Sequence, residues 1–293
     1  KIEETFLKKI LGTYIKDEKG KKHPICFECQ RRFKNKQAIL EKLVSIYPEI
    51  SSQIGGTLQD SVFVFIASSE KHYRQIVGTD FPRWSQGLAS PTRNIIILKS
   101  PRILPEYADP DKIAIHELTH ILLNKAVKNN PVPRWFNEGL AVYYSGEKKF
   151  ASSSLISKAL ISKSIIPLDE IEAVLKFHQD KAQLAYQESY TAVRFLFEHF
   201  GSQSVKKIIF KFSQGKSLDQ ALQETIGLDG YDFEHEWFQY IKKKYRWHFL
   251  LDFDVYLWIF MLIIFLIGFL AMRRRNKLTL KRWKQEEDQE ELW

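Results

Sequence analysis

The sequence predicts an α+β domain with a small sheet, a motif-bearing central helix and a helical C-terminal lobe, followed by one transmembrane helix. Three observations predict it. Two short β-rich runs precede a capped helix that carries His-Glu-x-x-His, the segments after that helix have helical periodicity, and an unbroken apolar run lies near the C-terminus. With 293 residues, 44% of them apolar, the chain is long enough for one or two domains with a real core. The formal charge of +9 is spread along the sequence except for a cluster at 273–284, and no nucleic-acid-binding motif accompanies it. The basic balance is therefore read as a solvated surface, and no nucleic-acid partner is expected.

Residues 1–55 read as a largely helical N-terminal segment, with Ala38, Ile39, Leu43, Val44 and Tyr47 at helical spacing. Gly55-Gly56 ends that pattern. Ser61 to Ala67 is rich in β-branched and aromatic residues and reads as a buried strand, Ser69 to Val77 as a short helix, and Asn94 to Leu98 as a second strand. Asp109-Pro110 then supplies an N-cap and a first-turn proline for a helix running to about Lys128. A further helix is expected from Arg134 to Tyr144, and more helices to about Tyr245. The domain reading is a helical segment at 1–55, a catalytic-type domain at 56–245, a membrane helix at 250–272 and a tail at 273–293.

The membrane helix rests on Val255 to Met272, which holds no charged residue. Eighteen residues at 1.5 Å each give about 27 Å, close to the ~30 Å hydrocarbon core. Tyr256 and Trp258 suit one interface, and Arg273, Arg274, Arg275 and Lys277 follow the other end. The positive-inside rule then places the tail in the cytoplasm and the large N-terminal portion outside, in a single-pass arrangement at the cell membrane with lipid as a partner of residues 250–272. The chain begins at Lys1, and a cleaved export signal would fit that topology. Cys26 and Cys29 form a lone Cys-x-x-Cys, open to a short-loop disulfide, two free thiols or a metal or redox site that includes His23.

The chemistry is carried by His116-Glu117-Leu118-Thr119-His120, in the middle of a predicted helix. Positions i and i+4 share one helix face, so both imidazoles can reach one metal while Glu117 stands beside them. Asp111, Lys112, Lys125 and Lys128 on the same helix place it in water rather than in an apolar span. Glu138 lies eighteen positions after His120, in Trp135-Phe136-Asn137-Glu138-Gly139-Leu140-Ala141 on the next predicted helix. A loop and a helical turn of that length can return its carboxylate to the same metal. Two His and one carboxylate leave a coordination position open, as in catalytic rather than structural zinc sites. His23, His72, His178, His199, His235 and His248 have no ligand spacing.

His-Glu-x-x-His followed by Asn-Glu-Gly-Leu-Ala resembles the gluzincin metallopeptidases, within the peptidase-MA-like domains, and is most similar to their aminopeptidase N-like branch. The resemblance spans about Ser61 to Tyr245 and implies a zincin-like fold. It implies Zn2+ held by His116, His120 and Glu138, and hydrolysis of a peptide or protein substrate by zinc-activated water with Glu117 as general base. It also implies a tyrosine at the oxyanion. Tyr186, fifteen residues before Gly201, matches that place best, and Tyr190 is the runner-up. The aminopeptidase branch carries a Gly-x-Met-Glu-Asn strand before the zinc helix that binds the substrate's free amino terminus. Here that region reads Gly87-Leu88-Ala89-Ser90, without the acid, so an endopeptidase fits at least as well. Asn94 to Leu98 is expected either to be the edge strand that pairs with an extended substrate or to be plain sheet core. A catalytically silent, membrane-anchored binding module with the same fold is the alternative function.

Overall fold

The computed structural model describes residues 25–28, 36–78, 81–147, 153–246 and 253–290. Four strands form one sheet in the order β1-β2-β4-β3, with β1 (Ile25–Glu28), β2 (Val62–Ala67), β3 (Gly87–Ser90) and β4 (Ile95–Lys99). β1, β2 and β4 are parallel, and β3 runs antiparallel to β4, with Gly87 opposite Leu98 and Ser90 opposite Ile95. Every residue of β2 and β4 is buried, because the sheet is covered on both faces. Val62, Val64, Ile66, Ile96 and Leu98 join the main core, whereas Phe63, Phe65, Ile95 and Ile97 join a second cluster. That second cluster lies under helix α2 (Glu70–Val77), whose Tyr73 and Ile76 pack into it.

Two sequence expectations are corrected here. Within residues 1–55, expected to be largely helical, Ile25–Glu28 is a strand paired with β2. Four residues carry too short a pattern to register, and their pairing is non-local. The helix expected there does form, as α1 (Lys36–Ile54), and it buries Ile39, Leu43, Ile50 and Ile54. The second correction concerns Asn94 to Leu98, expected as a possible edge strand. β4 lies inside the sheet, between β2 and β3, and β3 forms the edge. Five consecutive apolar or aliphatic-stemmed residues suit an interior strand, and the small residues of Gly87–Ser90 suit an edge.

Helix α3 (Pro110–Ala126) starts as expected, with the Asp109 side chain accepting from the Asp111 N–H at 3.0 Å. It is buried from Ile113 to Leu123 apart from His120 on the half-buried side, so it is the core helix on which the domain is assembled. Helix α4 (Arg134–Ser145) packs against α3 through Phe136 and Leu140. Full burial of a side chain of that size contributes about 1.5–3 kcal/mol. On its other side α4 meets helix α6 (Gln179–Ser213) so closely that a Cβ on Gly139 would stand 2.3 Å from the Ser189 carbonyl oxygen. The lobe is completed by α5 (Ser153–Ser162), α7 (Leu218–Ile226) and α8 (Gly230–Tyr245). Trp237 of α8 is fully buried and donates its indole N–H to Thr191 Oγ1 of α6 at 3.0 Å.

Helix α9 (Phe253–Glu290) is one helix long and apolar enough to cross a membrane, the single such helix among the described residues. Its large side chains from Tyr256 to Met272 are exposed to the surroundings rather than covered by the domain, unlike those of a core helix. It continues without a break through Arg273–Arg275 into the tail. Residues 250–252 of the expected span lie outside the described residues, as do His23, Cys29 and the side chain of Cys26, and with them the expectations for that cysteine pair.

A polar clasp joins α6 to α8 at the surface. Glu198 accepts from Arg194 at 2.6 Å, Tyr240 at 2.8 Å and Lys244 at 2.8 Å. Partial burial acts to raise the Glu198 carboxyl, but the hydrogen bonds from Lys244, Arg194 and Tyr240 outweigh it and bring its pKa down from 4.5 to about 2. A folded-state value below the unfolded one means stability that is fully present above pH 4.5 and is lost as the pH falls towards about 2. In thermal scans, Glu198→Gln should therefore lower the midpoint at neutral pH, and the gap from wild type should close on acidification. A gap of equal size at every pH would refute the charge-based account of the clasp.

Candidate metal centre

α3 and α4 present three side chains to one point. His116 and His120, one turn apart on α3, each place Nε2 at 3.4 Å from Glu138 Oε2 of α4. The ligand atoms of the three residues all lie within 4.8 Å of one another. Two ligands held tetrahedrally at about 2.0–2.1 Å from a common ion stand roughly 3.3–3.4 Å apart, which is the spacing of each imidazole from the carboxylate. Glu138 is 3% exposed, and its Oε2 has no hydrogen-bond partner. A buried carboxylate oxygen without a donor is costly unless a cation faces it. The donor set, two neutral nitrogens and one oxygen, suits zinc and leaves a position open.

The supporting contacts orient each group. His120 Nδ1 is 2.7 Å from Asn137 Oδ1, so an Nδ1–H donating to that oxygen leaves the Nε2 lone pair turned to the centre. Glu147 Oε1 lies 2.9 Å from His116 Nδ1, an electrostatic contact that sets a carboxylate behind the first imidazole without an aligned hydrogen bond. Arg134, one turn before Glu138 on α4, donates to Glu138 Oε1 at 3.2 Å and leaves Oε2 for the centre. Burial acts to raise the Glu138 carboxyl, but the two imidazoles outweigh it and hold the group well below the usual carboxylate range. Glu117 lacks so close a partner, and burial pushes its carboxyl up, against the pull of the two imidazoles.

A small cavity of about 80 Å³ opens beside the centre, lined by His116, Glu117, Tyr186, Trp84, Gly87 and Glu147 among others. Gly87, the first residue of β3, comes so near that a Cβ there would be 2.7 Å from Glu117 Oε1. Its carbonyl accepts from Ser85 Oγ at 2.7 Å and from the Tyr73 hydroxyl at 2.9 Å, which fixes the start of the edge strand over the cavity. The Tyr186 ring stands 6.2 Å from the His116 ring and edge-on to Trp84 at 6.0 Å. Burial, then the nearby carboxylates Glu138 and Glu117, push the Tyr186 hydroxyl well above its ordinary value and keep it a proton donor.

Of the residues singled out in the sequence, His116, Glu117, His120, Glu138 and Tyr186 therefore meet at one place. Tyr190 does not line that cavity, and its electrostatic neighbours are Tyr143, Arg194 and Tyr245. Asn137, Arg134, Glu147, Trp84 and Gly87 belong to the same place without having been assigned to it. Asn137 and Arg134 carried a signal, since they lie on the Glu138 helix one residue and one turn away. Glu147 carried none, because it faces His116 only through the turn after Gly146, whose φ of +59° ends α4.

The arrangement defines a metallopeptidase-like domain. The family model described as Peptidase MA superfamily matches residues 46–243, about two thirds of the chain, and the chain belongs to that superfamily. No curated protein matches the chain.

Orienting contacts of this kind are worth about 10–100-fold in metal affinity. Asn137→Ala and Glu147→Ala should each weaken zinc binding by about that factor in a chelator-competition titration. Unchanged affinity in both variants would remove the orienting role.

Proposed function

We propose that the chain is a membrane-anchored zinc metallopeptidase whose three protein ligands are His116, His120 and Glu138. The reading rests on one observation, the partnerless buried Glu138 oxygen facing two imidazole nitrogens at equal distance. His116, His120 and Glu138 would hold the zinc there, and its chemistry would be that of a Lewis acid, able to polarise a carbonyl and to make water acidic enough to react near neutral pH.

The protein's own residues supply the rest. Glu117, buried beside the two imidazoles and bordering the cavity, takes a proton from the attacking water. It returns that proton to the amide nitrogen as the C–N bond breaks, so the leaving amine departs neutral. The Tyr186 hydroxyl, neutral in its buried setting, donates to the oxygen that gains charge as water adds. The cavity of about 80 Å³ shares Gln86 and Glu147 with a neighbouring one of about 410 Å³, and two adjoining hollows of this kind favour a chain lying across the site. β3 is the edge that such a chain pairs with, through backbone hydrogen bonds. Because Gly87–Ser90 brings no carboxylate to hold a terminal ammonium, cleavage inside a chain is favoured over removal of its first residue.

α9 is the proposed single membrane span, with Arg273–Arg275 and Lys277 on the cytoplasmic side and the catalytic domain outside. Of residues 1–55, β1 and α1 are proposed to belong to the catalytic unit, because β1 pairs with β2, α1 packs into the main core and the family match starts at residue 46, within α1.

Glu117→Gln separates binding from chemistry. Zinc content should be retained while turnover of a peptide library falls by roughly 10²–10⁴-fold, the range of a general acid–base contribution. Undiminished turnover would exclude Glu117 as the base, and turnover absent from the wild type would favour a silent binding module. Tyr186→Phe should lower kcat by about 10²–10³ with little change in KM, because its hydroxyl acts on charge that develops only during reaction. An equal loss in Tyr190→Phe and none in Tyr186→Phe would reverse the assignment.

A further inference from the structure

On the lobe away from the metal centre, α5 and the end of α8 frame a second groove of about 770 Å³, nearly ten times the cavity at the metal. Its floor is apolar, with Ile161, Ile165 and Phe238, and Ile161 is 55% exposed. Its rim is cationic, with Lys163, Lys242 and Arg246, and among the described residues no acidic side chain lines it. Apolar floor and cationic rim together match an amphiphile that pairs a phosphate with a hydrocarbon chain. The two walls are tied, since Ser157 of α5 donates its hydroxyl to the Arg246 carbonyl at 3.2 Å.

The position of the groove in the chain points to the source of that amphiphile. Six residues, 247–252, join Arg246 to Phe253, the first residue of α9, so even a fully extended linker keeps them within about 25 Å. If α9 crosses the bilayer, as proposed above, the rim lies near the headgroups. The basic residues there are not a topology signal. Lys242, Lys243, Lys244 and Arg246 precede the span, whereas Arg273, Arg274, Arg275, Lys277, Lys281, Arg282 and Lys284 follow it, so the excess still marks the far side as cytoplasmic. Of the four, Lys244 is committed to Glu198, while Lys242 and Lys243 are exposed.

We propose that the α5–α8 groove seats an anionic phospholipid of the anchoring membrane, with the phosphate on Lys163, Lys242 and Arg246 and a stretch of acyl chain over Ile161 and Phe238. This contact, which rests on the membrane-anchored reading of α9, makes the lobe lie down on the bilayer instead of swinging on its linker. Each basic residue at an anionic surface contributes about fivefold in affinity.

The full chain is reconstituted in phosphatidylcholine vesicles with and without about 30% phosphatidylglycerol, and lysines are labelled with an amine-reactive reagent and read by mass spectrometry. Labelling of Lys163 and Lys242 should fall at least about threefold in the anionic vesicles, while Lys71, on α2 in the other cluster, is unchanged. In an Ile161→Trp variant, phosphatidylglycerol with brominated acyl chains should quench the new indole, and adding Lys163→Glu and Lys242→Glu should abolish the quenching. Equal labelling in both vesicles, with the chain retained after an alkaline wash, would overturn the groove's role and leave the anchor standing. Equal protection by inorganic phosphate in neutral vesicles would overturn the lipid in favour of free phosphate. Loss of the chain to the wash would overturn the anchor, and the proposal with it.

Discussion

A carboxylate buried at Glu138 is the constraint around which the domain is organised. An ionised group nearly sealed from water is costly unless charge and hydrogen bonds answer it. Arg134 answers one oxygen from the preceding turn of the same helix, and the two imidazoles of α3 face the other. That requires α3 and α4 to cross at one place and at one separation. The crossing is enforced from behind, where Gly139 lets α4 press onto the Ser189 backbone of α6, and from the side, where Trp135 stacks on Phe233 at 5.4 Å. The glycine that follows Glu138 in the sequence thus has a mechanical reason. Any side chain there would push α4 off α6 and carry the carboxylate with it.

The parts of the centre legible in the sequence are those encoded on single helices. His116 and His120 announce themselves by their spacing, α3 by its Asp109-Pro110 start, and Glu138 by its place in an apolar helical stretch. Local rules suffice for such features. What escaped is non-local. β1 is four residues whose only reason to be a strand is β2 beside them, and β3 is a strand of small residues with no alternating pattern. Asn94 to Leu98 looked eligible as an edge because a sequence does not state strand order, and pairing on both sides places it inside. Tyr186 matched the spacing to Gly201 better than Tyr190, one helical turn later, and it is the Tyr186 ring that packs beside Trp84 and His116. Glu147 depends on the left-handed Gly146 that ends α4, which no periodicity encodes.

The edge strand and Glu117 are mechanically coupled. Gly87 approaches Glu117 more closely than any other residue type would allow, and its carbonyl is held by Ser85 and Tyr73. The Tyr73 hydroxyl is thereby tied to the strand that borders the Glu117 carboxyl, and burial, offset in part by the Ser85 bond, raises its own pKa well beyond the usual tyrosine value. Strand, hydroxyls and carboxyl form one packed unit, so the depth of the cleft over Glu117 is set by main chain rather than by a movable side chain.

That unit also bears on what the proposed peptidase selects. A strand built of Gly, Leu, Ala and Ser offers an incoming chain its amide and carbonyl groups and little else. Backbone pairing of this kind grips any extended segment and is indifferent to whether a terminus is near. Two of the acidic groups at the site already face a partner, Glu138 the imidazoles and Arg134, and Glu147 His116. Recognition by main-chain register, with specificity left to the few side chains around a shallow cavity, is the selection this geometry favours.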